Sequence, residues 1–288
     1  MEKITHISKI EIEGLWEKYH IEWHLNPDVN ILAGINGSGK STILNIIAGV
    51  LTGGHFVGKV DNQINGVKIS FNDNKTLYFP EEIISNVIKI HRISTFEQPL
   101  KTQSETRKHD FPEKIKTDLD IQIFELQRTY LSYQINLGKR VEQIFSEGAP
   151  IDIKTKREEI YGKKELFTQT INNFFAQTGK TIASDENNEI VFRQNGETLT
   201  PYQLSSGEKQ VLLILLSALI QDNAPYILIM DEPEISLHID WQEQLIQVIR
   251  SLNENVQVIL ATHSPALVMK GWMDKVTEME DITRQEPI

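Results

Sequence analysis

Apolar positions recur along this chain in two rhythms, and the two alternate. Val29–Ala33, Val87–Ser94, Tyr226–Met230 and Val256–Ala261 are short branched runs with the length and composition of buried strands. Between them the period lengthens. From about Lys40 onward, Ile43, Leu44, Ile46, Ile47, Val50 and Leu51 fall at helical spacing until Gly53-Gly54 ends the run. Ser206–Gln221 carries a leucine-rich face, and Ile239–Leu252 repeats the helical pattern. Strands alternating with helices predict an α/β fold with a largely parallel sheet.

The remaining stretches read differently. Ile4, Ile7, Ile10 and Ile12 suggest an entering strand over residues 4–12, followed by a mixed aromatic segment (Trp16, Tyr19, Trp23) and an Asn26-Pro27-Asp28 turn. Residues 57–79 look like hairpin material, with turn signals at Asn65-Gly66 and Asn72-Asp73-Asn74. Two long polar helices, at about 113–146 and 154–178, are separated by Gly148-Ala149-Pro150, and strand character returns at Ile190–Arg193 before Asn195-Gly196. The expected organisation is one α/β domain made of residues 1–99 and 181–288, interrupted by a helical lobe over 100–180.

Composition narrows this picture modestly. The 288 residues are 40% apolar and 24% charged, with 29 Lys+Arg against 40 Asp+Glu and a net charge of −11, ordinary values for a globular chain. The acidity is concentrated in residues 222–288, which hold twelve acids and four bases. That balance disfavours general polyanion binding, which relies on Lys and Arg. With no cysteine, disulfides, thiolate metal sites and thiol nucleophiles are excluded. No apolar run approaches the ~18 residues of a membrane span. The N-terminus opens with Glu2 and Lys3 and has no apolar signal core. A cytoplasmic location without membrane attachment is expected.

Four stretches carry chemistry. Gly34-Ile35-Asn36-Gly37-Ser38-Gly39-Lys40-Ser41 fits G-x-x-x-x-G-K-[ST] between a predicted strand and helix. There, backbone N–H groups and a helix N-terminus cradle phosphates. Lys40 is expected on the β/γ-phosphates, Ser41 on Mg²⁺ and Thr42 on the α-phosphate. Ile227-Leu228-Ile229-Met230 runs into Asp231-Glu232, placing two carboxylates at the strand edge where α/β ligands bind. Asp231 suits Mg²⁺, and Glu232 suits polarising an attacking water. Leu204–Gln210 starts a helix with an S-x-x-E capping box, Ser205 to Glu208; the glycine and free N–H groups also permit an anion site. Finally, Val258–Ala261 ends in Thr262-His263-Ser264-Pro265, which puts His263 one strand away from the carboxylates, in position to sense a γ-phosphate.

Taken in order, these motifs resemble the ATP-binding-cassette (ABC) ATPases, a P-loop NTPase fold: Walker A at Gly34–Ser41, signature at Leu204–Gln210, Walker B at Ile227–Glu232 and a switch histidine at His263. The run Asp231-Glu232-Pro233-Glu234-Ile235-Ser236-Leu237-His238, continued by Trp241-Gln242, is similar to the non-transporter branch of RecF, SMC and OLD-type AAA ATPases. The resemblance covers about 25–55 and 200–270. It implies ATP and Mg²⁺ as ligands and a head-to-tail dimer around two ATPs. Each site would then pair one subunit's Walker residues with Ser205, Ser206 and Gly207 of the other. It further implies Glu232 as catalytic base, His263 as γ-phosphate contact and Gln98 as a Mg²⁺-linked glutamine. Trp16 or Tyr19 is a candidate for stacking on adenine.

The signature reads Ser-Ser-Gly-Glu-Lys, and His238 replaces the transporter-type aspartate. The insertion is too short for an SMC arm, no Cys-x-x-Cys hook is present, and the stretch after His263 is too short for an OLD-type TOPRIM domain. The reading is therefore an ATPase subunit acting on a separate effector, such as a nuclease, in a bacterial anti-phage system. Two alternatives stand beside it. One is a RecF/SMC-like ATPase binding DNA directly through Lys101, Arg107, Lys108, Lys114, Lys116, Lys139 and Arg140. The other is a transporter nucleotide-binding subunit.

Overall fold

The computed structural model describes residues 3–53, 64–81, 87–94, 114–146 and 152–285. The entering strand β1 (Ile7–Leu15) turns into β2 (Tyr19–His24), so Tyr19 and Trp23 of the aromatic segment lie on a strand and Trp16 lies in the turn before it. That turn places Trp16 and Glu17 at φ 54° and 58°. Two consecutive positive φ values suit the twist of a hairpin, but the usual Asn-Gly signal is missing and the sequence did not announce it. β3 (Val29–Ala33) leads through the glycine loop into α1 (Lys40–Leu51), followed by β4 (Gly66–Phe71), β5 (Thr76–Phe79) and β6 (Lys89–Ser94).

The two long helices are α2 (Asp118–Ser146) and α3 (Ile153–Phe174). α2 starts five residues later than the pattern suggested. Asp120 accepts from the amides of Lys116 and Thr117 at 2.9 and 3.1 Å, while Thr117 Oγ1 accepts from the Asp120 amide at 3.2 Å, a local cap that fixes the start. After α3 come β7 (Thr181–Ser184), β8 (Ile190–Gln194) and β9 (Glu197–Leu199), a small antiparallel sheet. The chain then runs through α4 (Ser206–Leu219), β10 (Tyr226–Asp231), α5 (Ile239–Leu252) and β11 (Val256–Ala261). It closes with α6 (Pro265–Met269), β12 (Val276–Glu278), α7 (Met279–Ile282) and β13 (Thr283–Gln285).

The central sheet has the order β12-β3-β11-β10-β6, and its pairs are parallel. A second sheet, β13-β2-β1-β4-β5, is antiparallel. Alternate residues of each central strand face opposite cores. Ile227, Ile229, Ile259 and Leu32 pack with α1 and the antiparallel sheet. Leu228, Met230, Val258 and Leu260 pack with α2–α5. The long helices therefore share a core with α4 and the sheet. The parallel register aligns Asp231 with Ala261 on one side and Ser94 on the other, and so brings the loops after β3, β10 and β11 to one edge.

Candidate functional site: a phosphate loop facing a carboxylate turn

The loop between β3 and α1 needs its glycines for two different reasons. Gly34, Gly37 and Gly39 have φ of 148°, 79° and 103°, values that side chains resist. At Gly39 a Cβ would also stand 2.5 Å from the Trp16 ring. Gly39 caps α1 without any side-chain bond, and no acid occupies the first turn. The helix start therefore presents N–H donors and positive dipole together. Lys40 is 5% exposed. Its Nζ donates to the carbonyls of Gly34 at 2.9 Å and Ile35 at 3.3 Å and stands 2.7 Å from His263 Nε2.

Opposite lies the end of β10. Ser41 Oγ donates to Asp231 Oδ1 at 3.0 Å. Burial raises the Asp231 pKa above its ordinary value, against the Ser41 bond and the charges of Arg92 and Lys40. Glu232 adopts φ 50°, a strained value for a side-chain-bearing residue, while its amide bonds the Ala261 carbonyl at 2.9 Å. The strained turn aims its carboxylate at His263, with Oε1 3.2 Å from Nε2. Burial, then the neighbouring Glu234, pushes the Glu232 carboxyl up to about 7, the range that suits a general base.

A cavity of about 590 Å³ joins the two sides, lined by Trp16, Asn36, Gly37, Gly39, Lys40, Ser41, Thr42, Glu232, Ile235 and His263. The donor set fits a nucleotide. Ser38 Oγ is buried without a hydrogen-bond partner, and the lysine and uncapped helix start suit phosphate oxygens. The pair Ser41 and Asp231 offers two hard oxygens. Among the described residues no three acids or histidines gather into a metal cage. One carboxylate and one hydroxyl completed by substrate phosphates is how Mg²⁺ is usually held.

The predicted residues do not all converge. Ser205, Ser206 and Gly207 do not line this cavity. Ser205 caps α4, and Glu208 closes the box with Oε2 accepting from the Ser205 amide at 2.9 Å. Lys180 Nζ reaches both Glu208 oxygens at 2.9 and 3.1 Å. A Cβ on Gly207 would stand 2.1 Å from the Ser236 carbonyl oxygen, so this glycine lets α4 approach the carboxylate turn. Gln98, Lys101, Arg107 and Lys108 lie outside the described residues, and Arg140 is ion-paired with Asp222. Trp16 and Tyr19 meet edge to face at 6.1 Å, and both line a cavity of about 230 Å³ beside Gly37 and Ser38. Sequence reasoning assigned no role to Glu234 or Gln242, although both stand in the quoted motif. Their contacts with the His263 loop are visible only in three dimensions.

Several known proteins resemble this chain. The chain is 24% identical over 310 residues to the Septu protein PtuA of Bacillus thuringiensis, covering 94% of this chain and 74% of that one. It is 23% identical over 144 residues to the retron Vc95 probable ATPase of Vibrio cholerae, covering 46% of this chain and only 28% of that relative's length. Among solved structures, an SMC head bound to the C-terminal winged-helix domain of ScpA superposes with a TM-score of 0.54 at 15% identity, covering 98% of this chain and 97% of that one. An SMC head with an extended coiled coil, bound to the C-terminal domain of ScpA derived from Pyrococcus furiosus, gives 0.52 at 15% identity, covering 99% and 96%. The fold is thus that of the SMC-type ATPase head. Among the described residues no helix is long and apolar enough to cross a membrane. Residues 63–269 match the AAA domain described as putative AbiEii toxin, Type IV TA system, and the chain belongs to that family.

Proposed function

We propose that this protein hydrolyses ATP at the cavity between the phosphate loop and the carboxylate turn, and that hydrolysis governs a separate effector protein. The observation that carries the reading is the alignment of Lys40, His263 and Glu232, with Nε2 of His263 2.7 Å from the lysine and 3.2 Å from the carboxylate. A charge donor, a γ-phosphate contact and a base thus meet across one cavity. Lys40 and the α1 N-terminus hold the phosphates, and Thr42 takes the α-phosphate. Glu232 accepts a proton from water as its oxygen attacks the γ-phosphorus, and the bond to the β–γ bridging oxygen breaks to leave ADP. His263 holds the γ-phosphoryl oxygens during that transfer. Ser41 and Asp231 are the residues that would hold Mg²⁺, which neutralises phosphate charge when bound.

Ser205, Ser206 and Gly207 lie apart from the cavity. This supports a role for them at the site of a second copy, in a dimer that closes two ATPs between its subunits. The helical lobe over 100–180 then belongs to each head. Relatives in Septu and retron systems support placing the chain in a bacterial anti-phage system with an effector on another polypeptide.

The test is complementation. Ser206→Arg and Lys40→Ala subunits are each expected to be inactive alone. A mixture should regain about one working site per heterodimer, because each mutation spoils a different half of a shared site. Glu232→Gln is expected to bind ATP, lose turnover by about 10³-fold or more and accumulate as an ATP-bound dimer in sedimentation. No recovery in the mixture would remove the shared site, and full turnover by Glu232→Gln would remove the base.

A further inference from the structure

His263 sits on a short loop that side chains from another segment hold in place. Glu234 Oε1 accepts three hydrogen bonds from that loop: from Thr262 Oγ1 at 2.6 Å, the His263 amide at 2.8 Å and the Ser264 amide at 3.1 Å. Gln242, on α5 and 9% exposed, adds a second strap. Its amide oxygen accepts from Ser264 Oγ at 2.6 Å. Its amide nitrogen donates to the carbonyls of Leu237 at 2.9 Å and Glu234 at 3.3 Å.

We propose that Glu234 and Gln242 are positioning residues that set where the His263 imidazole stands over the phosphate cavity. The inference rests on the ATPase reading above and extends it to two side chains outside the cavity lining. Glu234 does not line the cavity. Its place is structural and local. One carboxylate oxygen fixes two consecutive amides and the preceding hydroxyl, and with them the direction in which the residue between Thr262 and Ser264 projects. Thr262 is 3% exposed, so water cannot readily replace the lost acceptor there. Gln242 locks the same loop from the other side and ties it to the turn that also carries Glu232. The imidazole and the base are thereby placed by one connected set of bonds.

A mutant cycle decides this, using ATP turnover and ATP affinity at pH 8, with thermal melting as a check on folding. Glu234→Ala is expected to lower kcat about 100-fold, the order of loss that a displacement of about 1 Å produces, with ATP affinity changed less than about threefold. Glu234→Gln keeps an oxygen able to accept the same three bonds and should recover kcat to within about fivefold of the parent. In a His263→Ala background, Glu234→Ala should cost no more than about twofold further, because residues acting through one another do not add. Should Glu234→Ala fail to fold, Gln242→Ala enters the same cycle, with an expected loss of about tenfold in kcat that also vanishes without His263. Losses that multiply in the double variant, or a Glu234→Gln protein as slow as Glu234→Ala, overturn the proposal while leaving the ATPase reading intact. Parental turnover by both His263→Ala and Glu232→Gln would overturn that reading and this one with it.

Discussion

Two helices in this molecule begin on glycine-containing motifs, and their first turns are built in opposite ways. At α1 the capping position is Gly39, no side chain satisfies the leading N–H groups, and the first turn holds no acid. At α4 Ser205 and Glu208 cap each other, and the Glu208 carboxylate, 1% exposed, also takes Lys180 and Thr178. Burial works against that carboxylate, yet Lys180 and then the Ser205 amide hold its pKa below the ordinary value. A helix start whose donors and charge are already satisfied by its own chain competes poorly for a phosphate. The first motif leaves its donors open, as the proposed phosphate site requires. The second is a finished structural joint, and in the proposed dimer it would meet a nucleotide only when a second copy brings one.

Breaking the joint is expected to have the largest effect on stability. Lys180→Met leaves Glu208 buried beside an apolar side chain, and losing one partner of a buried ion pair costs about 3–5 kcal/mol. Urea denaturation should show that loss, while the folded fraction binds ATP through α1 as the parent does. Breaking the proposed phosphate site reverses the pattern. Lys40→Ala removes a charged donor worth about 2–3 kcal/mol, or roughly 30–150-fold in ATP affinity, readable by calorimetric titration. The melting temperature should move little. If both substitutions weakened ATP binding equally, the contrast between the two helix starts would collapse.

A pH experiment probes the same edge from the carboxylate side. Burial first and Glu234 second push the Glu232 carboxyl up to about 7 in the folded protein, from an ordinary glutamate value of 4.5. Between those values the folded state holds a proton that the unfolded state has released. This contribution to stability is therefore fully present below pH 4.5 and lost as pH rises through 7. The difference in melting temperature between Glu232→Gln and the parent should grow over that window in favour of the variant. A difference that stays flat from pH 5 to pH 8 would show that the carboxyl is not displaced.

Much of this architecture was legible because period and punctuation agree. Val29–Ala33, Ile239–Leu252 and Val256–Ala261 appear at their predicted bounds, where branched runs and helical faces are uninterrupted. β2 was hidden by a turn built from Trp16 and Glu17 at positive φ, residues that carry no turn signature. β12 and β13 are three-residue strands with too few positions for a period to show. At the site, the loop and the Asp-Glu turn could be read because each is a contiguous motif. Glu234 and Gln242 were not assigned, because their partners Thr262–Ser264 lie some twenty to thirty residues away and only the parallel pairing of β10 with β11 brings them together.

Ser205→Ala gives a modest stability effect and the sharpest separation of structure from chemistry. It removes two bonds of the Ser205 hydroxyl, the long one from the Glu208 amide at 3.4 Å and the one donated to Glu208 Oε2 at 3.0 Å. The other half of the box uses the Ser205 backbone amide and survives the substitution. Most of α4 is buried, so packing rather than capping holds the helix. The expected cost is therefore that of a lost cap, about 1–2 kcal/mol, or a melting temperature lower by about 2–6 °C. A hydroxyl that serves only as a cap would leave turnover within about twofold of the parent, in line with so small a change. If Ser205 also meets the nucleotide of a second copy, turnover falls by far more than the melting point can account for, and ATP binding by the isolated subunit stays unchanged. Ser205→Thr keeps both the cap and the hydroxyl and should restore both readouts, whereas restoration of the melting point alone would confine Ser205 to the joint.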